Sequence, residues 1–167
     1  DEAIGEYRAA LRLQAGSAAA LYSLNLSAAL LAKGELDGAI GSGRTAIRLQ
    51  PHNPDAHYNL GLALKAKGDV DGALAAFREV LKLDPGQEAL HYDVGQLLDR
   101  AGDSEGALAE YRAMLVHQPS HAPAQEALAV LLQKKGDVEG AIAAYRVALQ
   151  AVPTSVAARN NLGVALL

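Results

Sequence analysis

The sequence contains no cysteine and no tryptophan, and only one phenylalanine and one methionine. Without cysteine there is no disulfide framework and no thiolate zinc site, and the redox compartment is left open. Aromatic residues make up 4% of the 167 residues, and Ile and Val together number 14, too few for a sandwich, a barrel or a sizeable sheet. No apolar run approaches the ~18 residues of a membrane span, and no charged-then-apolar signal segment opens the chain. Neither sign of charge dominates. A net charge of -4 and a pI near 5.7 give no electrostatic reason to expect nucleic acid or an anionic membrane. The chain is instead rich in Ala (35) and Leu (27), both helix formers, so the expected class is all-α. With 50% apolar and 20% charged residues, it has enough apolar surface to fold.

A 34-residue period organises the sequence. Gly34, Gly68, Gly102 and Gly136 form one column, and Pro51, Pro85, Pro119 and Pro153 another. Ala39, Ala73, Ala107 and Ala141 form a third, and Leu30, Leu64, Leu98 and Leu132 a fourth. Each unit opens with apolar residues at helical spacing and stops at a glycine able to take the left-handed conformation. An acid follows at once (Glu35, Asp69, Asp103, Asp137), suited to the positive end of a second helix, which runs until proline ends it. The spacing predicts first helices near 20–33, 54–67, 88–101, 122–135 and 156–167. Second helices are predicted near 2–14, 37–49, 71–83, 105–117 and 139–151.

One copy reads His57-x2-Leu60-Gly61-x2-Leu64, then Ala73-x3-Phe77, then Pro85; the next reads His91-x2-Val94-Gly95-x2-Leu98, then Ala107-x3-Tyr111, then Pro119. This pattern resembles the tetratricopeptide repeat (TPR), whose motif is W-x2-L-G-x2-Y, A-x3-F and P. The resemblance covers essentially the whole chain. It implies an all-α, right-handed superhelical solenoid of antiparallel helix pairs. The expected organisation is a single array over 1–167, with full repeats at 20–53, 54–87, 88–121 and 122–155 and half-repeats at 1–19 and 156–167. Two departures stand out. Gly43 occupies the place of Phe77, Tyr111 and Tyr145, with Gly38 and Gly41 in the same helix, and the N-terminal half-repeat needs two extra residues around Ala15–Ala19. Opening at Asp1 and stopping mid-repeat at Leu167, the chain is expected to be a piece of a longer array.

Candidates for catalysis are few. Gly41-Ser42-Gly43 superficially fits a dinucleotide fingerprint but falls inside a predicted helix, where no strand can present it. Asn25-Leu26-Ser27 fits a glycosylation acceptor but is also mid-helix. His117 and His121 have metal-ligand spacing, with Pro119 between them and no third ligand. His57 and His91 sit where the family places a large packing residue. The expectation is no enzyme, no cofactor and no metal. A basic column (Arg8, Arg44, Arg78, Arg112, Arg146) is read as the solvated face of the second helices.

The resemblance implies that a partner contacts first-helix positions. Carried over, these give Leu21, Leu24, Asn25, Ala28 and Leu31 in repeat one, and Tyr58, Asn59, Leu62 and Lys65 in repeat two. Repeat three gives Tyr92, Asp93, Gln96 and Asp99; Glu126, Asn160 and Asn161 follow. Some relatives hold chaperone C-terminal carboxylates with Lys and Asn on successive first helices. The cation positions are here Leu24, Tyr58, Tyr92 and Glu126, so that clamp is absent. Asn25, Asn59 and Asn161 resemble the asparagine ladder of O-linked glycosyltransferase arrays, interrupted by Asp93 and Ala127.

The expected function is therefore a non-catalytic scaffold binding a peptide or partner protein, with apolar and basic segments favoured and neither nucleic acid nor membrane insertion involved. The alternatives are a substrate-recruiting region of a larger enzyme such as an O-linked glycosyltransferase, and a self-assembling scaffold associating through exposed ends (Ile4, Leu11, Leu13; Val156, Leu162, Val164, Leu166, Leu167). The chain is expected to be soluble, cytoplasmic rather than secreted.

Overall fold

In the computed structural model, which describes residues 1–13 and 16–167 (the Leu13 side chain excepted), the helix ends are set by short polar residues at fixed columns. Among the described residues there are ten α-helices and no strands: α1 (Glu2–Leu13), α2 (Ser17–Lys33), α3 (Leu36–Leu49), α4 (Pro54–Lys67), α5 (Val70–Leu83), α6 (Leu90–Arg100), α7 (Ser104–His117), α8 (Ala122–Lys134), α9 (Val138–Ala151) and α10 (Val156–Ala165). Gly34, Gly68, Gly102 and Gly136 have φ between 79° and 86°, the left-handed region where a Cβ would be strained, so each first helix ends there. Asp69, Asp103 and Asp137 then accept hydrogen bonds, each 2.9 Å, from the amides of Gly72, Gly106 and Gly140.

Glu35 does not cap α3. Its side chain is one methylene longer, and it pairs with Lys33 (2.9 Å) and Arg8 (3.7 Å) instead. The Lys33 hydrogen bond, opposed by some burial and aided by the charges of Lys33 and Arg8, lowers its carboxyl pKa below the ordinary 4.5. Gly38, Gly72, Gly106 and Gly140 form a further column of period 34. At Gly72 an added Cβ would stand 2.7 Å from the capping Asp69 carboxylate, so the glycine makes room for the cap. Gly38 thus belongs to the repeat and is not a departure from it.

The first helices show the same logic. Asn53 caps α4, His121 caps α8 and Ser155 caps α10, all at one column. The equivalent Gln87 reaches back to Asp84 (2.9 Å), and α6, which has no side-chain cap, begins at Leu90 and not near 88. Gln14 and Ala15, where part of the N-terminal insertion was expected, lie outside the described residues. α2 begins at Ser17, after Gly16 with φ 74°.

The chain forms two compact units, Asp1–Gln87 and Glu88–Leu167. In the first, α1 packs on α2, α2 on α3, α3 on α4 and α4 on α5, with α2 also touching α4. In the second, α6 to α10 follow the same order, and α8 also touches α10. The alanine column (Ala39, Ala73, Ala107, Ala141) is fully buried, so the partner helix lies too close for a longer side chain. Of the residues expected to be exposed at α1, Ile4 is buried and Leu11 half-buried, α1 being packed on α2, and the Leu13 side chain lies outside the described residues. At α10, by contrast, Val156, Val164 and Leu166 are 81%, 55% and 58% exposed.

Candidate functional site

The first helices carry the expected partner-facing residues, and their exposure separates those that can meet a ligand from those already engaged. In the first unit Leu21, Ala28 and Tyr58 are exposed, and Leu24, Asn25, Leu31, Asn59, Leu62 and Lys65 are half-buried. Tyr58 stacks at a tilt on Phe77, centroids 6.0 Å apart. Asn59 donates from Nδ2 to the Leu24 carbonyl at 3.5 Å, a long bond between α4 and α2 that occupies one of its donors.

In the second unit Tyr92, Asp93, Gln96, Asp99, Glu126 and Asn161 are half-buried. Tyr92, Glu126 and Asn161 are brought together, around a cleft of about 520 Å³ closed by Pro123, Ala127 and Val130 of α8 and by Val152 and Ser155 of the following turn. Asn160 is exposed and not part of that lining.

The cleft is built from fixed pieces. Tyr92 packs against Tyr111 (5.9 Å) and edge-on against His121 (5.2 Å). Its phenol is raised above 10.0, first by burial and then by the charges of Asp93 and Glu126, against a hydrogen bond with Gln96. Ser155 donates to Oε1 of Glu126 at 2.7 Å while its own oxygen caps α10. Asn161 hydrogen-bonds the Tyr145 phenol, which burial raises, and the Tyr145 hydroxyl donates to Gln133 at 3.2 Å.

Residues considered for chemistry have structural roles. His117 Nδ1 lies 2.8 Å from Glu88, and His121 accepts the Ala124 amide proton through Nδ1, so the pair does not converge on one ion. No metal-binding group of three occurs among the described residues. Gly41, Ser42 and Gly43 lie within α3, and Asn25 to Ser27 within α2. The arginine column is exposed throughout.

The column of His57 and His91, read from the sequence as packing residues, has a further role that the sequence reading missed. His57, Gln125 and Arg159 each bond the carbonyl of the proline six residues earlier, His57 and Gln125 at 2.8 Å. These polar residues tie the turn to its helix where the family motif has a large apolar ring. His91 differs, with Nδ1 at 2.6 Å from Glu110 of α7. The shared period of 57, 91, 125 and 159 was the available signal.

Models of the tetratricopeptide repeat match residues 54–87 and 92–156, and a TPR repeat model matches 28–68. Together they span well over half of the chain, which belongs to the tetratricopeptide repeat family and has its all-α solenoid fold. Among solved structures, MamA is similar at 21% identity with a TM-score of 0.83, over 89% of this chain and 85% of MamA. MamA from Desulfovibrio magneticus RS-1 is 26% identical with a TM-score of 0.80, over 87% and 82%. YrrB, a TPR protein with an unusual peptide-binding site, is 20% identical with a TM-score of 0.80, over 87% and 75%. No curated protein sequence matches the chain.

Proposed function

We propose that this chain is a non-catalytic interaction scaffold that takes a peptide or a partner-protein segment on its first-helix faces. The observation that carries this reading is the cleft of the second unit. There Tyr92, Glu126 and Asn161, nominated by the family resemblance, share a lining of apolar walls with one fixed carboxylate and one amide. A concave, mostly apolar lining with few placed polar groups suits side-chain capture. The similar fold of YrrB, a protein with a peptide-binding site, supports the class of ligand. No helix is long and apolar enough to cross a membrane among the described residues.

Peptides selected from a random display library on the full chain, followed by amide chemical-shift mapping, test the reading. Shifts are expected at Tyr58, Asn59, Tyr92, Glu126 and Asn161. Shifts confined to the exposed arginine face of the second helices would sink it. A second reading, self-association, is favoured by Val156 and Val164 of α10 and by Leu166 just after it, large apolar residues left exposed. Light scattering across protein concentration decides it: a constant monomer mass removes it.

A further inference from the structure

Resting on the scaffold reading, we infer that the cleft of the second unit is a receptor for a single basic side chain, Lys or Arg, flanked by apolar residues. Glu126 is the only charged residue in the cleft lining. Its Oε1 is held by Ser155 at 2.7 Å, which fixes the carboxylate in the lining. A carboxylate so oriented loses little freedom on meeting a cation and offers a charge-assisted hydrogen bond. The same lining holds the Tyr92 ring, whose position is fixed by packing against Tyr111 and His121. An electron-rich ring beside a carboxylate is the surround a cationic head group favours. Val130 and Val152, in the same lining, offer apolar surface for the aliphatic stem.

No competing cation lines the cleft. His121, packed edge-on against Tyr92, is engaged elsewhere, accepting the Ala124 amide proton on Nδ1, and is not part of the cleft lining. The arrangement is opposite in charge to a clamp for a carboxylate. A free C-terminus or an acidic side chain would meet Glu126 as a like charge, whereas a lysine or arginine completes the site.

The test uses the ¹⁵N-labelled full chain and two pentapeptides, acetyl-Ala-Val-Arg-Val-Ala-amide and the same peptide with citrulline, the neutral isostere of arginine. The arginine peptide is expected to shift the Tyr92, Val130 and Asn161 amides and to bind about tenfold more tightly than the citrulline peptide. Glu126→Gln keeps an oxygen for Ser155 and removes only the charge; it is expected to bring the two peptides to equal affinity, with an unchanged melting curve. Equal binding of both peptides to the wild type, with shifts still in the cleft, overturns the cation site and leaves the scaffold reading standing. Absence of shifts with either peptide also overturns the cation site, while the broader reading is decided separately by the library-selected peptide.

Discussion

Repeats one and two solve the same packing problem with opposite residues. In repeat two the aromatic ring of Phe77 on α5 lies over Gly61 on α4, so closely that a Cβ at Gly61 would stand 2.4 Å from the ring. Repeat three repeats this with Tyr111 over Gly95, at 2.6 Å. In repeat one, sixteen residues again separate the partners, but the second helix supplies Gly43 and the first supplies Ser27. Ser27 is fully buried and donates to the Ala39 carbonyl at 2.8 Å. Its hydroxyl and Leu60 are the nearest atoms to a Cβ placed at Gly43. One contact is an apolar ring on backbone; the other is a small polar side chain on backbone, satisfied by a hydrogen bond. The helix pair tolerates either because what it needs is close approach with no void and no unpaired polar atom.

The largest effect that would break this comparison is expected from Phe77→Gly. Deleting a fully buried ring should cost on the order of 3–5 kcal/mol in a denaturant titration, from lost transfer energy and the cavity left behind. Adding Gly61→Ser to that variant imports the repeat-one arrangement and is expected to recover part of the loss. Strictly additive single-variant costs would mean that the two arrangements are not interchangeable.

Next in size is Gly61→Ala, expected to destabilise by roughly 1–3 kcal/mol because the ring of Phe77 must move. Gly43→Ala should be close to neutral: an added Cβ would stand 3.2 Å from the Ser27 hydroxyl, which must give by a few tenths of an ångström, while Ala favours the helix by roughly 0.5–1 kcal/mol. Equal melting temperatures for the two variants would dissolve the distinction.

A smaller difference lies between Phe77 and Tyr111. Burial pushes the Tyr111 phenol up to about 12, with the charge of Asp99 adding to the rise. A phenol that keeps its proton longer when folded stabilises the fold fully below its ordinary 10.0, and that contribution is lost as pH rises through about 12. Tyr111→Phe is therefore expected to flatten part of the alkaline decline in stability, and tyrosinate absorbance of the native chain should show a late step that the variant lacks. Titration of every tyrosine near 10 would refute the burial argument.

The smallest effect concerns local opening. Lacking a buried aromatic, α3 is expected to exchange its amides about tenfold faster than α5, a difference of order 1.4 kcal/mol in local stability. Equal protection of 37–49 and 71–83 would show that Ser27 and Leu60 fill the gap as well as the ring does.

Much of the fold was legible because its rules are local. A left-handed glycine, an aspartate three residues before a free amide and a proline are read from neighbouring residues, and all ten helices were expected within about three residues of where they lie. The start of α6 at Leu90, two residues later than expected, goes with one residue, Gln87, whose side chain serves Asp84 instead of capping a helix. The site was legible only as a register. Repeat position nominated Tyr92, Glu126 and Asn161 alongside Asn160, but nothing in the period distinguished the three that share a cleft from the one left in solvent.

By itself, then, the sequence determined the repeat, the helices and their ends, because each depends on backbone conformation and hydrogen bonds within a few residues. Tertiary structure alone decided that Gly61 receives Phe77 while Ser27 fills the space over Gly43, and that Ser155 holds Glu126 in the cleft that Tyr92 also lines. Those outcomes depend on distances between helices, and a helix fixes its own period but not the depth at which its neighbour packs.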